Sequence, residues 1–217
     1  MLLNDNLKVD WSEIEVTAID DLLEAIDHGI LVSNLAASLS KKLGMDQNYC
    51  YMMALAGMVH DIGKLKLGKY LYGRDKNSLI VEEMKYVRMH PIIGQEILKE
   101  QDFSHIIVES VYHHHENYDG SGYPRNIKGE NIPFGARILR VCDVFAALVS
   151  DRSYRKAYDL DTAISLMIEE VKNFDMKVFL ALLQVIHSEE YSEIQNYIRT
   201  INQKRYFQGN HDTLLYC

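Results

Sequence analysis

Hydrophobic residues recur every three or four positions along most of the chain, which is the spacing of one face of an α-helix. The clearest example is residues 14–43, where Gly44 marks the predicted end. Further stretches with this spacing are residues 47–61, 80–90, 92–99, 103–116, 135–150, 161–173 and 175–187. No segment combines strict apolar and polar alternation with a hairpin turn. The pattern therefore predicts an all-α fold, a compact helical bundle.

Two irregular stretches interrupt the predicted helices, at residues 68–77 and 117–133, both rich in residues that favour turns. Asp161 and Asp175 stand where N-caps are expected. We expect residues 1–20 to be a short N-terminal extension, 21–187 the main domain, and 188–217 a peripheral helix and tail.

Composition agrees with one globular domain, since 47% of the 217 residues are hydrophobic and 25% are charged. No apolar run approaches the roughly 20 residues of a membrane-spanning helix. Residues 1–10 also lack the features of a signal peptide. We therefore expect a cytoplasmic protein without membrane insertion.

The formal charge of −8 argues against binding to duplex nucleic acid, which requires a basic surface. It does not exclude a small anionic ligand, because carboxylates that hold cations contribute to the negative count. Cys50, Cys142 and Cys217 are widely spaced and form no CxxC pair. Neither a disulfide framework nor a thiolate zinc site is predicted.

Three consecutive histidines, His113 to His115, precede the second irregular stretch. If a helix continues through them, His114 and His115 share a face with Ile107 and Val111, whereas His113 lies outside that face. We expect two imidazoles to point inward and His113 to lie on the rim without a role in the site. A single inward histidine is most often a hydrogen-bonded core residue, but two adjacent ones bring four ring nitrogens that need partners.

Other residues of the same chemistry lie on predicted helix faces and at predicted helix ends. Glu24 and His28 are one helical turn apart, and Asp143 lies in an apolar helix, where a lone carboxylate is costly unless it is paired or binds a cation. A metal cluster accounts for all of them, and imidazole and carboxylate ligands without thiolate suit iron, manganese, zinc or other first-row divalent ions. The set also includes His60 and Asp61, at the end of one predicted helix, and His90, at the end of another just before Pro91.

Four segments carry a resemblance to a known family. They are HDIGK at 60–64, HP at 90–91, HHENYDGSGYP at 114–124 and DVFAALVSDRSYR at 143–155. In this order and spacing they are similar to the motifs of the HD-GYP family, a branch of the HD-domain metal-dependent phosphohydrolases associated with cyclic di-GMP hydrolysis. The resemblance implies a bundle of the HD-domain type with a GYP loop, and an HD-GYP-like catalytic domain over residues 21–187.

The resemblance also implies a centre of two or three divalent metal ions, with iron or manganese favoured. It makes Asp61 the bridge between two ions, and it makes Glu24 and His28 ligands of a third. A surface glutamate beside a core histidine remains the alternative, since their spacing is common in any helix. The implied ligands are Glu24, His28, His60, Asp61, His90, His114, His115 and Asp143.

By the same resemblance, Asp61 and Lys64 are the catalytic residues, and Lys64, Tyr123, Arg152 and Arg155 contact the substrate. The planar fork of donors on arginine suits phosphate oxygens. For Lys64 the alternative is an ordinary exposed lysine, and for either arginine it is a charge at a helix end.

The loop that contains Asp119, Gly120, Gly122 and Pro124 is expected to form one wall of the pocket. The two glycines permit close approach and unusual backbone angles, and Pro124 fixes the exit of the chain. Asp119 is expected to orient the loop through local hydrogen bonds and not to bind metal.

The implied reaction is hydrolysis of cyclic di-GMP to pGpG through a metal-bridged hydroxide, with further cleavage to GMP left open. One alternative is an HD-type phosphohydrolase that acts on another cyclic dinucleotide or nucleotide, because the scaffold does not specify the base. Another is a non-catalytic nucleotide-binding signalling protein. A homodimer or a separate regulatory protein is the expected partner.

Overall fold

The computed structural model describes the backbone of residues 11–66, 87–152 and 155–211, and the side chains of residues 22–66, 87–152 and 155–203. Within these ranges the chain forms eight α-helices of eight residues or more and no β-strand, apart from one isolated bridge between Arg152 and Arg155. The helices are α1 (Trp11–Lys42), α2 (Gln47–Val59), α3 (His90–Glu100), α4 (His105–Tyr112), α5 (Phe134–Val149), α6 (Leu160–Glu169), α7 (Met176–Ile186) and α8 (Tyr191–His211). Two 3-10 helices cover Gly129–Asn131 and Val171–Asn173. The predicted all-α fold is confirmed.

Two helix ends that bear on the histidines differ from the prediction. His90 was expected to end a helix, but it begins α3. Pro91 is tolerated there because the first turn of a helix leaves its N–H groups without intrahelical partners. The helix before the GYP loop ends at Tyr112, so the three histidines that follow lie in a turn.

The capping residues explain two further boundaries. The carboxylate of Asp159 accepts a hydrogen bond from the backbone N–H of Thr162, which makes Asp159 the N-cap of α6, so the prediction of Asp161 is wrong. Asp175 caps α7 as predicted. The predicted irregular stretch at 68–77, Cys217 and most of the predicted helix at 80–90 lie outside the described residues.

The core of the bundle is built around α1, which contacts α2, α5, α7 and α8. Leu31, Leu35 and Leu39 follow one another at four-residue intervals on its inner face, and all three are fully buried. Burial of each leucine contributes about 1.5–3 kcal/mol. The helix begins at Trp11, so the second half of the predicted N-terminal extension is helical.

The C-terminal helix α8 also contributes to the core. Tyr191, Ile194, Ile198 and Ile201 recur on one face of this helix and are buried against the same hydrophobic cluster. The helix that was predicted to be peripheral therefore covers one side of the bundle.

The segment Leu22–Lys42 of α1 is long and apolar enough to cross a membrane by length and composition alone, with a mean hydropathy of 1.2. This differs from the expectation that no apolar run reaches that length. The core helix of a bundle passes the same test, and the inner face of this segment supplies the buried leucines. Packing inside the protein accounts for the apolar inner face, whereas Leu22, Leu23 and Ile26 are exposed.

Candidate metal centre

Seven of the eight predicted ligands meet in two adjoining groups, although they come from five separate places in the chain: three helices and the turns after α2 and α4. The first cluster is Asp61, His90, His114 and His115, and the second cluster is His28, His60 and Asp143. Within each cluster one ligand atom per residue lies within 4.8 Å of the others. The eighth predicted ligand, Glu24, contacts Arg152.

Close packing of two backbones brings Asp61 to His90. Gly63 begins the helical segment that follows the turn after α2, and a Cβ atom there would be 2.0 Å from the carbonyl oxygen of His90. Only glycine allows this approach, because real Cβ contacts are never so short. As a result, Asp61 Oδ1 lies 3.1 Å from His90 Nε2.

Three of the imidazoles are oriented by their own backbone. The Nδ1 atoms of His60, His90 and His114 lie 2.6–2.7 Å from carbonyl oxygens three residues earlier. A carbonyl can only accept, so each Nδ1 carries the proton and donates it. In the neutral ring this leaves the Nε2 lone pair directed into the clusters, which is the usual arrangement of a metal-binding histidine.

The lone pairs in the first cluster face one another. His90 Nε2 and His114 Nε2 are 3.1 Å apart, and both rings are fully buried. Asp61 Oδ1 is also buried and has no hydrogen-bond partner among the described residues. Two nitrogen acceptors and a carboxylate oxygen in this arrangement repel unless a cation lies between them, so the residues fit a bound metal ion.

Asp61 joins the two clusters through its two oxygens. Oδ1 faces the first cluster, whereas Oδ2 lies 3.4 Å from His60 Nε2 of the second. Asp143 Oδ1 lies 3.6 Å from the same nitrogen of His60 and 3.0 Å from His28 Nε2. With one oxygen directed at each cluster, the Asp61 carboxylate can bridge two ions.

The electrostatics of the clusters match this arrangement. Burial would lower the pKa of His60, but the carboxylates of Asp61 and Asp143 raise it to about 10. Burial would raise the pKa of both carboxyl groups, yet the adjacent histidines hold each well below its usual range. Burial lowers the pKa of His114 strongly and that of His115 to about 3. The carboxylates are therefore ionised and His114 and His115 neutral at pH 7, as metal ligands must be, whereas His60 would have to lose a proton when an ion binds.

Lys64 and Tyr123 lie at the edge of the clusters. Lys64 Nζ donates to Asp61 Oδ2 over 2.6 Å while about a third of its side chain remains exposed. The ring of Tyr123 stacks on His115, with centroids 4.8 Å apart. Both predicted substrate-binding residues therefore adjoin the proposed ligands.

Two arginines near Tyr123 were assigned no role from the sequence. The guanidinium of Arg88 lies over the Tyr123 ring, 5.4 Å from its centroid. Arg140 donates from Nε to Asn117 Oδ1 over 3.0 Å, and its charge acts on both His115 and Tyr123. Arg140 precedes Asp143 by three residues, and this helical spacing is the signal that could have identified it.

The other two predicted phosphate contacts are engaged within the protein. Arg152 donates to Glu24 Oε1 and contacts His28 Nδ1. Arg155 donates to the carbonyl oxygens of Ala147, Leu148 and Lys156, and the first two lie in the last turn of α5. For Arg155 the contacts favour the alternative of a charge at a helix end.

His113 does not lie on the rim, because the helical periodicity behind that prediction ends at Tyr112. Its ring is buried, with Nε2 3.7 Å from Glu109 and Nδ1 3.6 Å from Glu116. Glu116 is almost fully buried and accepts a hydrogen bond from the backbone N–H of Arg125. Glu116, which the sequence analysis did not single out, thereby holds the GYP loop.

The GYP loop is held in shape by local hydrogen bonds and by its glycines. Asp119 accepts hydrogen bonds from the backbone N–H and the hydroxyl of Ser121, which confirms its role in orienting the loop. Gly120 has a φ of 90°. A Cβ atom on Gly122 would lie 2.2 Å from the backbone nitrogen of Asn117, so the loop folds tightly onto itself only with glycine there.

Comparison with known proteins agrees with the geometry. A model of the HD domain family matches residues 12–178. A cyclic di-GMP phosphodiesterase of Pseudomonas aeruginosa is 34% identical over 160 residues, which is 73% of this chain and 38% of that protein. A 3'3'-cGAMP-specific phosphodiesterase of Vibrio cholerae is 31% identical over 169 residues, which is 77% of this chain and 38% of the relative. The chain thus spans about two fifths of the length of these curated relatives.

The fold is also found among solved structures. An HDG"Y"P protein from Bdellovibrio bacteriovorus superposes with a TM-score of 0.61 at 20% identity, over 76% of this chain and 53% of that one. At this identity the likeness shows the helical architecture alone. The family match covers most of the chain, the motifs fall on the two clusters, and the architecture agrees. The chain therefore belongs to the HD domain family, and its resemblance to the HD-GYP branch is confirmed.

Proposed function

We propose that this chain is a metal-dependent phosphodiesterase that hydrolyses cyclic di-GMP to pGpG, with further cleavage to GMP left open. The observation that carries the proposal is the position of Asp61, whose two carboxylate oxygens face the two clusters. Relatives named as cyclic di-GMP phosphodiesterases support the substrate class.

We assign the ligands by their positions. One ion would be held by the first cluster, and the other by His60, Asp143 and the second oxygen of Asp61. The donor set is nitrogen and oxygen without thiolate, since neither Cys50 nor Cys142 belongs to either cluster. Imidazole and carboxylate donors of this kind suit iron or manganese, and we propose one of these as the native metal.

Bound ions would lower the pKa of water and neutralise charge on the phosphoryl oxygens. The protein's own residues would position the diester. Lys64 is anchored to Asp61 and partly exposed, so its ammonium can donate to a phosphate oxygen beside the clusters. The ring of Tyr123 would form a wall against a nucleotide, next to the guanidinium of Arg88.

A second candidate substrate is a mixed cyclic dinucleotide. The relative from Vibrio cholerae specific for 3'3'-cGAMP is 31% identical to this chain, close to the identity of the cyclic di-GMP relatives. Both substrates share the cyclic phosphodiester backbone that the clusters would bind, and they differ in one base.

A cytoplasmic location and a homodimer or separate regulatory protein remain part of this proposal. Cys50 and Cys142 are free thiols, as is usual in a reducing compartment.

The test is a comparison of cyclic di-GMP, 3'3'-cGAMP and cyclic di-AMP as substrates for the manganese-loaded protein under anaerobic conditions, with products separated by chromatography. Asp61→Ala should abolish turnover. Asp159→Asn is a matched control, because it replaces a distant N-cap with another good cap. Faster hydrolysis of 3'3'-cGAMP would select the second candidate, and full activity in Asp61→Ala would refute the metal centre.

A further inference from the structure

Arg152 is bound at the place where a third cation would be expected. Its two terminal nitrogens contact two different residues of α1, with Nη1 3.0 Å from Glu24 Oε1 and Nη2 3.1 Å from His28 Nδ1. The side chains of all three residues are mostly buried. The resemblance to HD-GYP proteins assigns Glu24 and His28 to a third metal ion, yet the structure fills that position with a guanidinium group.

The direction of the hydrogen bonds is fixed by chemistry. Guanidinium nitrogens only donate, so His28 Nδ1 must accept from Arg152. In a neutral ring the proton is then on Nε2, which donates to Asp143 Oδ1 over 3.0 Å. His28 is therefore in the opposite tautomer from His90 and His114, whose Nδ1 atoms donate to backbone carbonyls.

This tautomer is incompatible with metal binding through the same ring nitrogen. An ion on His28 Nε2 would displace its proton to Nδ1, where an N–H group would face the N–H of Arg152. In addition, a divalent ion beside Glu24 would be repelled by the guanidinium charge. Either Arg152 or a third ion can occupy the Glu24 and His28 site, but not both.

We propose that Arg152 replaces the third metal ion, so that the protein binds two ions and His28 serves as a positioning residue that holds Asp143 by a hydrogen bond. This inference rests on the metal centre of the proposed function. It also means that Arg152 neutralises Glu24 permanently in the resting enzyme and is not a free phosphate ligand there.

The contact depends on the backbone after α5. Arg152 and Arg155 form an antiparallel bridge, with N–H to oxygen distances of 2.7 and 3.1 Å. Arg155 is anchored to carbonyl oxygens of the last turn of α5, and this places the backbone of Arg152 beside α1. The guanidinium is therefore held by the fold as well as by its partners.

The test is the number of Mn²⁺ ions bound per chain, measured by calorimetric titration and elemental analysis. The wild type should bind two. Arg152→Met keeps an apolar stem without donors and should bind three. Arg137→Met is the matched control, because it removes a similarly buried guanidinium that pairs with Asp175 instead of Glu24, and it should stay at two. Glu24→Gln alone should bind two ions, as the wild type does. The double variant Glu24→Gln with Arg152→Met should also bind two, because the third site has lost its carboxylate.

A wild-type count of three, or a count of two that Arg152→Met leaves unchanged, would overturn the proposal and leave the metal-dependent function intact. A wild type that binds no ion would overturn the proposed function itself.

A measurement on the wild type alone covers the case in which Arg152→Met does not fold. In the Zn²⁺-loaded protein, long-range ¹H–¹⁵N spectra should show the proton of His28 on Nε2, with its signals assigned by their loss in His28→Gln. A proton on Nδ1 with a metal-shifted Nε2 would exclude the role given to Arg152.

Discussion

His90 Nε2 and His114 Nε2 lie 3.1 Å apart in a fully buried position, although both rings direct their protons away to backbone carbonyls. Two unprotonated nitrogens at this distance repel each other, and a cation between them would remove the repulsion. The pair therefore fits a metal ion: the backbone orients both rings, and the helix ends set the distance between them.

Gly63→Ala should move Asp61 away from His90. The new Cβ atom would lie 2.0 Å from the carbonyl oxygen of His90, so the turn must move and Asp61 with it. Overpacking of this kind costs about 1–3 kcal/mol, or a fall in Tm of about 2–4 °C per kcal/mol in a protein of this size. Calorimetry combined with a metal count measures both effects.

Gly94→Ala is the control for this substitution. Its Cβ atom would meet a side chain, Val111, at 3.3 Å, and alanine favours the helix. We expect a smaller loss of stability than for Gly63→Ala, with metal binding retained. Equal metal binding by both variants would show that the close approach at Gly63 does not position Asp61.

The metal-free protein should lose stability on both sides of a middle pH range. The pKa of His60 is raised from 6.5 to about 10, so its contribution is complete below pH 6.5 and is lost as pH rises towards 10. The pKa of His115 is lowered from 6.5 to about 3, so the unfolded state gains protons first and stability falls as pH drops from 6.5 towards 3.

Urea unfolding of the metal-free protein at a series of pH values measures the loss of stability at alkaline pH and at acid pH. His60→Gln should remove the loss at alkaline pH. If this variant still loses stability at alkaline pH, another group causes the loss.

Arg155→Met should reduce stability and leave substrate binding unchanged. The guanidinium makes three hydrogen bonds to carbonyl oxygens, two of them in the last turn of α5. Loss of bonds from a charged donor to a helix end costs about 1–3 kcal/mol. Thermal unfolding and the KM for cyclic di-GMP separate the two roles, and a raised KM with an unchanged Tm would restore the phosphate contact implied by the motif.

Arg140→Met should weaken substrate binding and leave stability nearly unchanged. Its guanidinium lies beside His115 and Tyr123 and uses Nε for the bond to Asn117, so the terminal nitrogens can reach a substrate phosphate. We expect the KM to rise about tenfold, which corresponds to one charge-assisted hydrogen bond. Metal content and Tm should change little, and an unchanged KM would remove Arg140 from the substrate site.

The sequence predicted the helical class and seven of the residues that lie together in the two clusters, because apolar spacing and motif order are local properties. It failed where a helix ended unexpectedly. The assignment of His113 to the rim assumed a helix through residue 113, but α4 ends at Tyr112. His90 was placed at the wrong end of a helix because a proline can follow one helix or begin the next.

Contacts between residues far apart in the chain could not be predicted from the sequence either. Arg152 and Glu24 are 128 residues apart in the chain, and nothing local to either residue indicates that they meet. Their motif positions predicted a phosphate ligand and a metal ligand, whereas the folded chain pairs them with each other.

The proposed bridging of two ions by Asp61 is tested most directly by electron paramagnetic resonance of the Mn²⁺-loaded protein. Two Mn²⁺ ions that share the Asp61 carboxylate should give an exchange-coupled spectrum, and Asp61→Ala should lose it. A wild-type spectrum of isolated, uncoupled Mn²⁺ at full loading would contradict the account.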